Sequence, residues 1–267
     1  MKKVAVLGST GTLGKYITNS LIEEGYDVYP VIRKELDLRD NAAVVAWLTT
    51  INPEVVINCA TAGGKLTVND IIYDDVRNNL TVFLNFYNNS HLFGKFINVA
   101  SGAEFDSSRH VRMARESDIL NRYPERSYAF SKNVISRFVL EKDNFYNLRL
   151  FGCFTPDEPD FRLLKRCQLQ ETIEVENKYL DYVSCRDFFQ VLKYYINNQP
   201  RYKDMNCVYQ DKHDLVDILE RFKRYHNLKT QIFISNNRGL DYTGDGSLLA
   251  TLNLDLEGLD KGLKDYK

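Results

Sequence analysis

An α/β fold is what the sequence predicts: a Rossmann-like doubly wound parallel sheet with a small C-terminal substrate lobe. Three observations predict it. Short apolar runs alternate with helix-period segments as far as Gly152, the first run opens directly onto a glycine-rich turn, and the texture beyond Gly152 changes to loops and shorter elements.

Val4–Leu7 is wholly apolar, the pattern of a central parallel strand covered on both faces. Past the glycine turn, Tyr16, Ile17, Leu21 and Ile22 recur at helical spacing, and Gly25 ends that helix. Asp27–Ile32 reads as a second strand, Ala42–Leu48 as a helix stopped before Pro53, and Glu54–Cys59 as a third strand. A helix over Asn78–Asn88, a buried strand over Lys95–Ala100, a helix over Tyr128–Leu140 and a strand over Leu148–Phe151 continue the alternation. This βαβα order implies a mainly parallel sheet with helices on both faces. Later, Pro156-Asp-Glu-Pro159 marks a loop and Phe161–Gln170 a helix. Ile173–Val175 and Tyr182–Val183 are short strand candidates, and Asp187–Ile196 and Leu215–Tyr225 are helices. Residues 1–152 are thus expected to form a dinucleotide-binding domain and 153–267 a substrate lobe, with the helix at 187–197 returning to the first domain.

Lys and Arg (35) nearly balance Asp and Glu (36), a formal net charge of -1. No global basic field exists to attract nucleic acid or an anionic membrane, so an anionic ligand needs a local site. The cysteines, Cys59, Cys153, Cys167, Cys185 and Cys207, contain no CxxC pair. They suggest neither a disulfide framework nor a zinc site, and a reducing compartment is expected. Cys153 and Cys185 fall where the cleft is expected, with buried inert thiols as the default reading. His91, His110, His213 and His226 are scattered without metal spacing, so no metal is expected. Near the N-terminus glycines interrupt the short apolar run, and no stretch approaches the roughly 20 apolar residues of a membrane span. A cytoplasmic protein is expected.

Gly8-Ser-Thr-Gly11-Thr-Leu-Gly14 lies between the first strand and the first helix. Glycines permit the tight turn and close backbone approach to a pyrophosphate, and the helix N-terminus offers free N–H groups and a positive dipole end. Gly8, Thr10, Gly11, Thr12, Leu13 and Gly14 are therefore cofactor-binding candidates. An NAD site usually ends its second strand with Asp or Glu on the ribose hydroxyls. Here Arg33-Lys34 stands in that place. Arg33 can pair with a 2′-phosphate, which favours NADP(H) with NAD(H) possible; the plainer alternative is a solvated loop pair.

Tyr128-Ala-Phe-Ser-Lys132 follows, with Ser101 at the end of a preceding strand. Positions i and i+4 share a helix face, so Tyr128 and Lys132 can enter one cleft. A nearby ammonium is expected to lower the tyrosine pKa, Tyr128 to move the proton that accompanies hydride transfer at a carbonyl, and Ser101 to bond the same oxygen. Arg162, Lys165 and Arg166 on a later helix either grip a substrate diphosphate or form a solvated face.

With these motifs in order, the sequence resembles the extended short-chain dehydrogenase/reductase superfamily, in its NAD-dependent epimerase/dehydratase group, from Val4 to about Asp187. A fainter echo covers Leu254–Tyr266. The family's glycine motif falls on Gly8, Gly11 and Gly14, and its catalytic set on Ser101, Tyr128 and Lys132. Asp181-Tyr-Val-Ser-Cys-Arg-Asp187 is similar to its D-(F/Y)-V-x-V-x-D segment. Within the group, the GDP-fucose synthase and dTDP-dehydrorhamnose reductase branch is the most similar. The second strand passes into Glu35-Leu-Asp-Leu-Arg-Asp40 without a full helix, and Asn58-Cys-Ala-Thr-Ala-Gly-Gly64 resembles that branch's AAxxGG segment. The resemblance places Asp37 and Leu38 near the adenine, Cys59, Ala60 and Thr61 near the cofactor phosphates and ribose, Asn79 near the catalytic helix, and Gly102 and Ala103 beside the substrate. It also implies a nucleotide-sugar substrate and a homodimer paired through the helices at Asn78–Asn88 and Tyr128–Leu140. Ala103 departs from the cysteine that GDP-fucose synthases use for epimerisation, the partner histidine is missing from 154–166, and Leu180 replaces the family's Arg.

The leading expectation is reduction of a keto group on a nucleotide-linked sugar, with Tyr128 as general acid. A nucleotide-sugar 4-epimerase holding NAD, or a non-catalytic cofactor-sensing Rossmann protein, are the alternatives. A sensor has no chemical reason to keep Ser101, Tyr128 and Lys132 together.

Overall fold

The apolar runs become strands, and most of the helix-period segments become the crossovers between them. In the computed structural model, which describes residues 1–63 and 73–266, the order begins β1 (Lys3–Leu7), α1 (Thr12–Glu23), β2 (Asp27–Val31), α2 (Asn41–Ile51), β3 (Val55–Asn58) and α3 (Tyr73–Asn88). It continues with β4 (Lys95–Ser101), β5 (Val111–Ala114), α4 (Ser127–Glu141), β6 (Phe145–Leu150), β7 (Cys153–Phe154), α5 (Leu163–Leu169) and β8 (Thr172–Val175). Then come β9 (Val183–Ser184), α6 (Cys185–Asn197), β10 (Asp204–Asn206), α7 (Leu215–His226), β11 (Gln231–Ile234), β12 (Tyr242–Gly244), α8 (Ser247–Ala250) and α9 (Gly258–Lys264).

Six strands form one parallel sheet in the order β10-β6-β4-β3-β1-β2. The chain goes from β1 to one side for β2 and then to the other for β3. That reversal opens a crevice at the carboxyl ends of β1 and β3, the position where such folds take ligands. No helix occupies residues 32–40, where the sequence passes directly into Glu35–Asp40; a loop leads from β2 to α2, whose N-cap Asp40 accepts from the Ala43 N–H (3.1 Å).

Alternation along β1 divides the core. Val4 and Val6 pack with Ile17, Leu21, Phe188 and Leu192 on one face, and Ala5 and Leu7 with Val44, Phe83, Phe96 and Val139 on the other. A separate cluster around Leu164, Ile218, Phe222, Leu263 and Tyr266 supports the C-terminal lobe. The Asp187 carboxylate joins α6 to the start of α9 by accepting from Glu257 N (2.8 Å), Gly258 N (2.9 Å) and the Tyr209 hydroxyl (2.5 Å).

Among the spans that differ from the sequence expectation, three bear on the site. The strand expected at Leu148–Phe151 begins at Phe145 and ends at Leu150, its buried Asn147 and Arg149 having masked the apolar pattern. The helix expected from Asp187 begins at Cys185, because the Ser184 hydroxyl caps it by accepting from Asp187 N (3.1 Å). The sixth strand, β10, had no signal, for Asp204-Met-Asn206 is polar at two of its positions.

Those masking residues form one buried network. Arg149, fully buried on β6, donates from Nε to Glu104 (3.0 Å), from Nη2 to Asp204 (2.9 Å) and from Nη1 to Asn206 (3.1 Å). Glu104 also accepts from Ser136 Oγ (2.7 Å) and Ser101 N (2.8 Å). Removing one member of a buried ion pair leaves the others uncompensated. Arg149→Met is therefore expected to cost about 3–5 kcal/mol. In urea unfolding the midpoint falls with the slope unchanged; an unshifted midpoint contradicts this role.

Candidate active site

The glycine turn separates what the chain needs from what a ligand needs. Gly8 sits at φ +72°, and a Cβ there would lie 2.8 Å from the Ala60 backbone; at Gly14 it would lie 2.2 Å from the Gly8 carbonyl oxygen. The fold itself demands both glycines. Gly11 is different: its φ is -73°, and a Cβ would meet only Gly8 O at 3.5 Å. No side chain caps α1, and Thr10, Gly11 and Thr12 are exposed with Leu13 half-buried beside them. The first-turn N–H groups and positive helix end thus face open space, a cradle that fits a pyrophosphate. Ser9 fixes its rim by donating to Val31 O (3.1 Å).

On the β2 side, Arg33 is exposed. Arg39 grips Asp37 through both carboxylate oxygens (2.9 and 2.7 Å), which with the Arg33 charge holds that carboxyl well below the usual range. Asn85 fixes the Leu38 carbonyl (2.8 Å). A cavity of about 490 Å³ opens beside this loop, lined by Asp37, Arg39, Arg77 and Asn78 among others. At the end of β3, the half-buried Cys59 and Ala60 and the exposed Thr61 flank the crevice. Burial pushes the Cys59 thiol up to about 12. Asn79 clamps both backbone groups of Ala62 (2.6 and 2.9 Å) and donates to Ser131 on α4 (3.0 Å), so one side chain ties the crevice loop to the helix of Tyr128. Gly64, the last residue of the AAxxGG-like segment, lies outside the described residues.

Ser101 ends β4 and caps the short 3₁₀ turn that follows: its hydroxyl accepts from Ala103 N (3.3 Å) while Glu104 takes its N–H. From α4, Tyr128 lies near enough to Ser101 for that hydroxyl to pull its pKa down. Lys132, on the same face, donates to Val99 O (2.6 Å). The structure thus brings Ser101, Tyr128 and Lys132 to one place, with Gly102 buried and Ala103 half-buried alongside. One expectation is corrected. Tyr128 lies above, not below, the ordinary tyrosine pKa, because burial outweighs the Ser101 hydrogen bond. The Lys132 ammonium, itself lowered by burial, spends one of its three donors on a backbone carbonyl. Tyr128 is in its acid form.

In the helix beyond the cleft, Arg162 donates to Cys153 O (2.8 Å) and pairs with Glu158 (3.5 Å), and Lys165 donates to Pro156 O (3.0 Å). Both cations hold down the 153–158 loop; Arg166 is half-exposed beside them. Cys153 and Cys185 approach to 3.2 Å between sulfurs as free thiols. One feature had escaped the sequence reading: the Arg149–Glu104 support beneath Ser101.

Since only a ligand requires glycine at position 11, Gly11→Val is expected to abolish NADPH binding while leaving the thermal midpoint near wild type. Gly14→Ala is expected to lower the midpoint. Unchanged NADPH affinity in Gly11→Val contradicts the cradle assignment.

The comparisons agree with this geometry. A family model described as "NAD dependent epimerase/dehydratase family" matches residues 4–207. Among curated proteins, no sequence matches the chain. Among solved structures, the chain is similar to a dTDP-4-dehydrorhamnose reductase from Bacillus anthracis in complex with NADP (TM-score 0.82, 19% identity, 100% of this chain and 98% of that one). It is also similar to a GDP-D-glycero-L-gluco-heptose synthase from Campylobacter jejuni, solved in the presence of NADPH (TM-score 0.84, 17% identity, 99% and 97%). A UDP-glucose 4-epimerase from Thermotoga maritima with UDP-glucose shares the fold (TM-score 0.80, 16% identity, 99% and 98%). The chain belongs to the NAD-dependent epimerase/dehydratase family and is an NAD(P)-dependent enzyme of the short-chain dehydrogenase/reductase type.

Proposed function

We propose that the protein reduces a keto group on a nucleotide-linked sugar with NADPH. The observation that carries this reading is the gathering of Ser101, Tyr128 and Lys132 at the ends of β4 and α4, in a fold whose glycine cradle is left open at Gly11. Relatives of the same fold include sugar-nucleotide reductases crystallised with NADP. When bound, the nicotinamide supplies the hydride. The chain's own residues do the rest. Gly8 to Gly14 hold the pyrophosphate, Asp37 and Leu38 flank the adenine, Cys59, Ala60 and Thr61 line the ribose side, and Asn79 fixes that loop. Tyr128 delivers its proton to the carbonyl oxygen as the alcohol forms, Ser101 steadies that oxygen, and Lys132 holds the nicotinamide ribose. Gly102 and Ala103 border the sugar. Arg162, Lys165 and Arg166 face the substrate diphosphate.

On this reading residues 1–152 bind the cofactor, 153–267 shape the substrate pocket, and the enzyme is a cytoplasmic homodimer paired through α3 and α4. A thermal-shift panel of nucleotide sugars with NADPH present tests the substrate class, since selective binding raises the midpoint by mass action. Protein that purifies with NAD and interconverts sugars without consuming NADPH is a 4-epimerase. Cofactor binding without turnover on any sugar marks a sensor.

Arg39 pairs with Asp37, which offsets that carboxylate's repulsion of a 2′-phosphate, and Arg33 beside it is exposed. Arg33→Ala is expected to weaken NADPH binding by roughly 1.5–3 kcal/mol, the worth of a charge-assisted hydrogen bond, with NADH barely affected. Equal loss for both cofactors, or none, makes Arg33 a loop residue only.

Tyr128→Phe keeps the ring and removes the proton, so turnover is expected to fall by roughly 10²–10⁴ with cofactor affinity nearly intact. With Ala103 in the cysteine's place, the product formed in deuterated water is expected to carry no deuterium on carbons next to the reduced centre. Deuterium there means that another residue exchanges those protons.

A further inference from the structure

Two thiols stand outside the proposed chemistry. Cys153 opens β7 and Cys185 opens α6, 32 residues apart in the chain. Both backbones are held. β7 pairs with β9 so that Cys153 lies opposite Val183, whose N–H donates to Gly152 O (2.9 Å). Arg162 Nη2 donates to Cys153 O (2.8 Å). The Ser184 hydroxyl, accepting from Asp187 N (3.1 Å), fixes the turn on which Cys185 stands. The two sulfurs are thereby brought to 3.2 Å as free thiols. A disulfide joins its sulfurs at about 2.05 Å, so a further approach of about 1 Å closes the gap.

The pair is unequal. Cys153 is half-buried, whereas Cys185 is buried. The Cys185 thiol is pushed well above its ordinary range, first by its hydrogen bond with Cys153 and then by burial, so it keeps its proton for a Cys153 thiolate. Arg162, bound to the Cys153 carbonyl, brings positive charge to the same residue. The other cysteines lack such a partner: burial pushes Cys59 up to about 12, Cys167 up to about 11 and Cys207 well above the ordinary thiol range. We propose that Cys153 and Cys185 are a modification site for hydroperoxides, with Cys153 the attacking sulfur and Cys185 the resolving one. The Cys153 thiolate attacks one peroxide oxygen. The O–O bond breaks, and the other oxygen leaves with the thiol's proton as water or an alcohol. Cys153 is then a sulfenic acid. The Cys185 sulfur attacks the Cys153 sulfur, the S–O bond breaks, and the departing oxygen takes the Cys185 proton and leaves as water. Two thiols thus lose two protons and two electrons, and the peroxide gains both. The new bond ties β7 to the start of α6 and closes into a loop the segment that carries Arg162, Lys165 and Arg166. A small dithiol reverses it by exchange.

The test uses the full chain, reduced, freed of reductant and treated in its native state with hydrogen peroxide. Remaining thiols are then alkylated in denaturant and the peptides read by mass spectrometry. The expected result is a peptide linked through Cys153 and Cys185, two hydrogens lighter than its two parts, with alkyl label on Cys59, Cys167 and Cys207. Dithiothreitol added before alkylation is expected to return label to every cysteine. In Cys185→Ser no link can form, and a 1,3-dione probe is expected to trap the sulfenic acid on Cys153. In Cys153→Ser, Cys185 is expected to remain open to alkylation. Alkyl label on both Cys153 and Cys185 after peroxide in large excess overturns the proposal. So does a link from either to any other cysteine, or a sulfenic acid trapped on Cys185 instead of Cys153. Neither sugar nor cofactor takes part, so this outcome and that of a reductase assay are independent.

Discussion

The buried ion pair between Arg149 and Glu104 fixes the parts on which the active site depends. Glu104 holds the Ser101 N–H, Arg149 holds Glu104, and the same guanidinium reaches Asp204 and Asn206 on β10. One cation thus joins the serine turn, β6 and the edge strand of the sheet. Burial opposes every charge in this group, and only their mutual attraction and hydrogen bonds offset it. Apolar side chains could fill the same volume, but they could not fix the direction of the Ser101 backbone. On the proposed reading, the geometry of proton transfer rests on an interaction well behind Ser101 and Tyr128.

The glycines sort by the same reasoning. Gly8 and Gly14 let the β1–α1 turn pack against itself and Ala60, and Gly102 and Gly244 admit the two edges of Phe151. Each has a protein atom within 3 Å of where a Cβ would stand. Gly11 has none that close. On the proposed reading, the free space before the uncapped N-terminus of α1 takes the cofactor pyrophosphate, where the strand order reverses.

Much of this was legible in the sequence because the signals are local. A wholly apolar run, a glycine turn and a helical repeat are neighbours in the chain, so β1, the cradle and α1 could be read together. Tyr128 and Lys132 are a turn apart on one helix, and Ser101 ends a strand that its own apolar pattern marks. Arg149 was unreadable because a charged residue inside a strand looks like surface until its partners, distant in sequence, are known. The Tyr128 pKa went the other way from expectation because neighbouring charge can be judged from helical spacing, whereas desolvation depends on everything packed around the ring.

The proposed function makes one chemical claim, that a carbon accepts a hydride from the cofactor while the chain protonates its oxygen. The most direct measurement uses NADPH deuterated at the transferable position of nicotinamide C4, incubated in ordinary water with a panel of nucleotide-linked keto sugars and read by mass spectrometry and NMR. The account predicts one deuterium in the product, on the carbon that bore the ketone, with matching loss of NADPH. A panel in which the cofactor binds and a keto sugar shifts the thermal midpoint, yet no deuterium reaches any sugar, would contradict it.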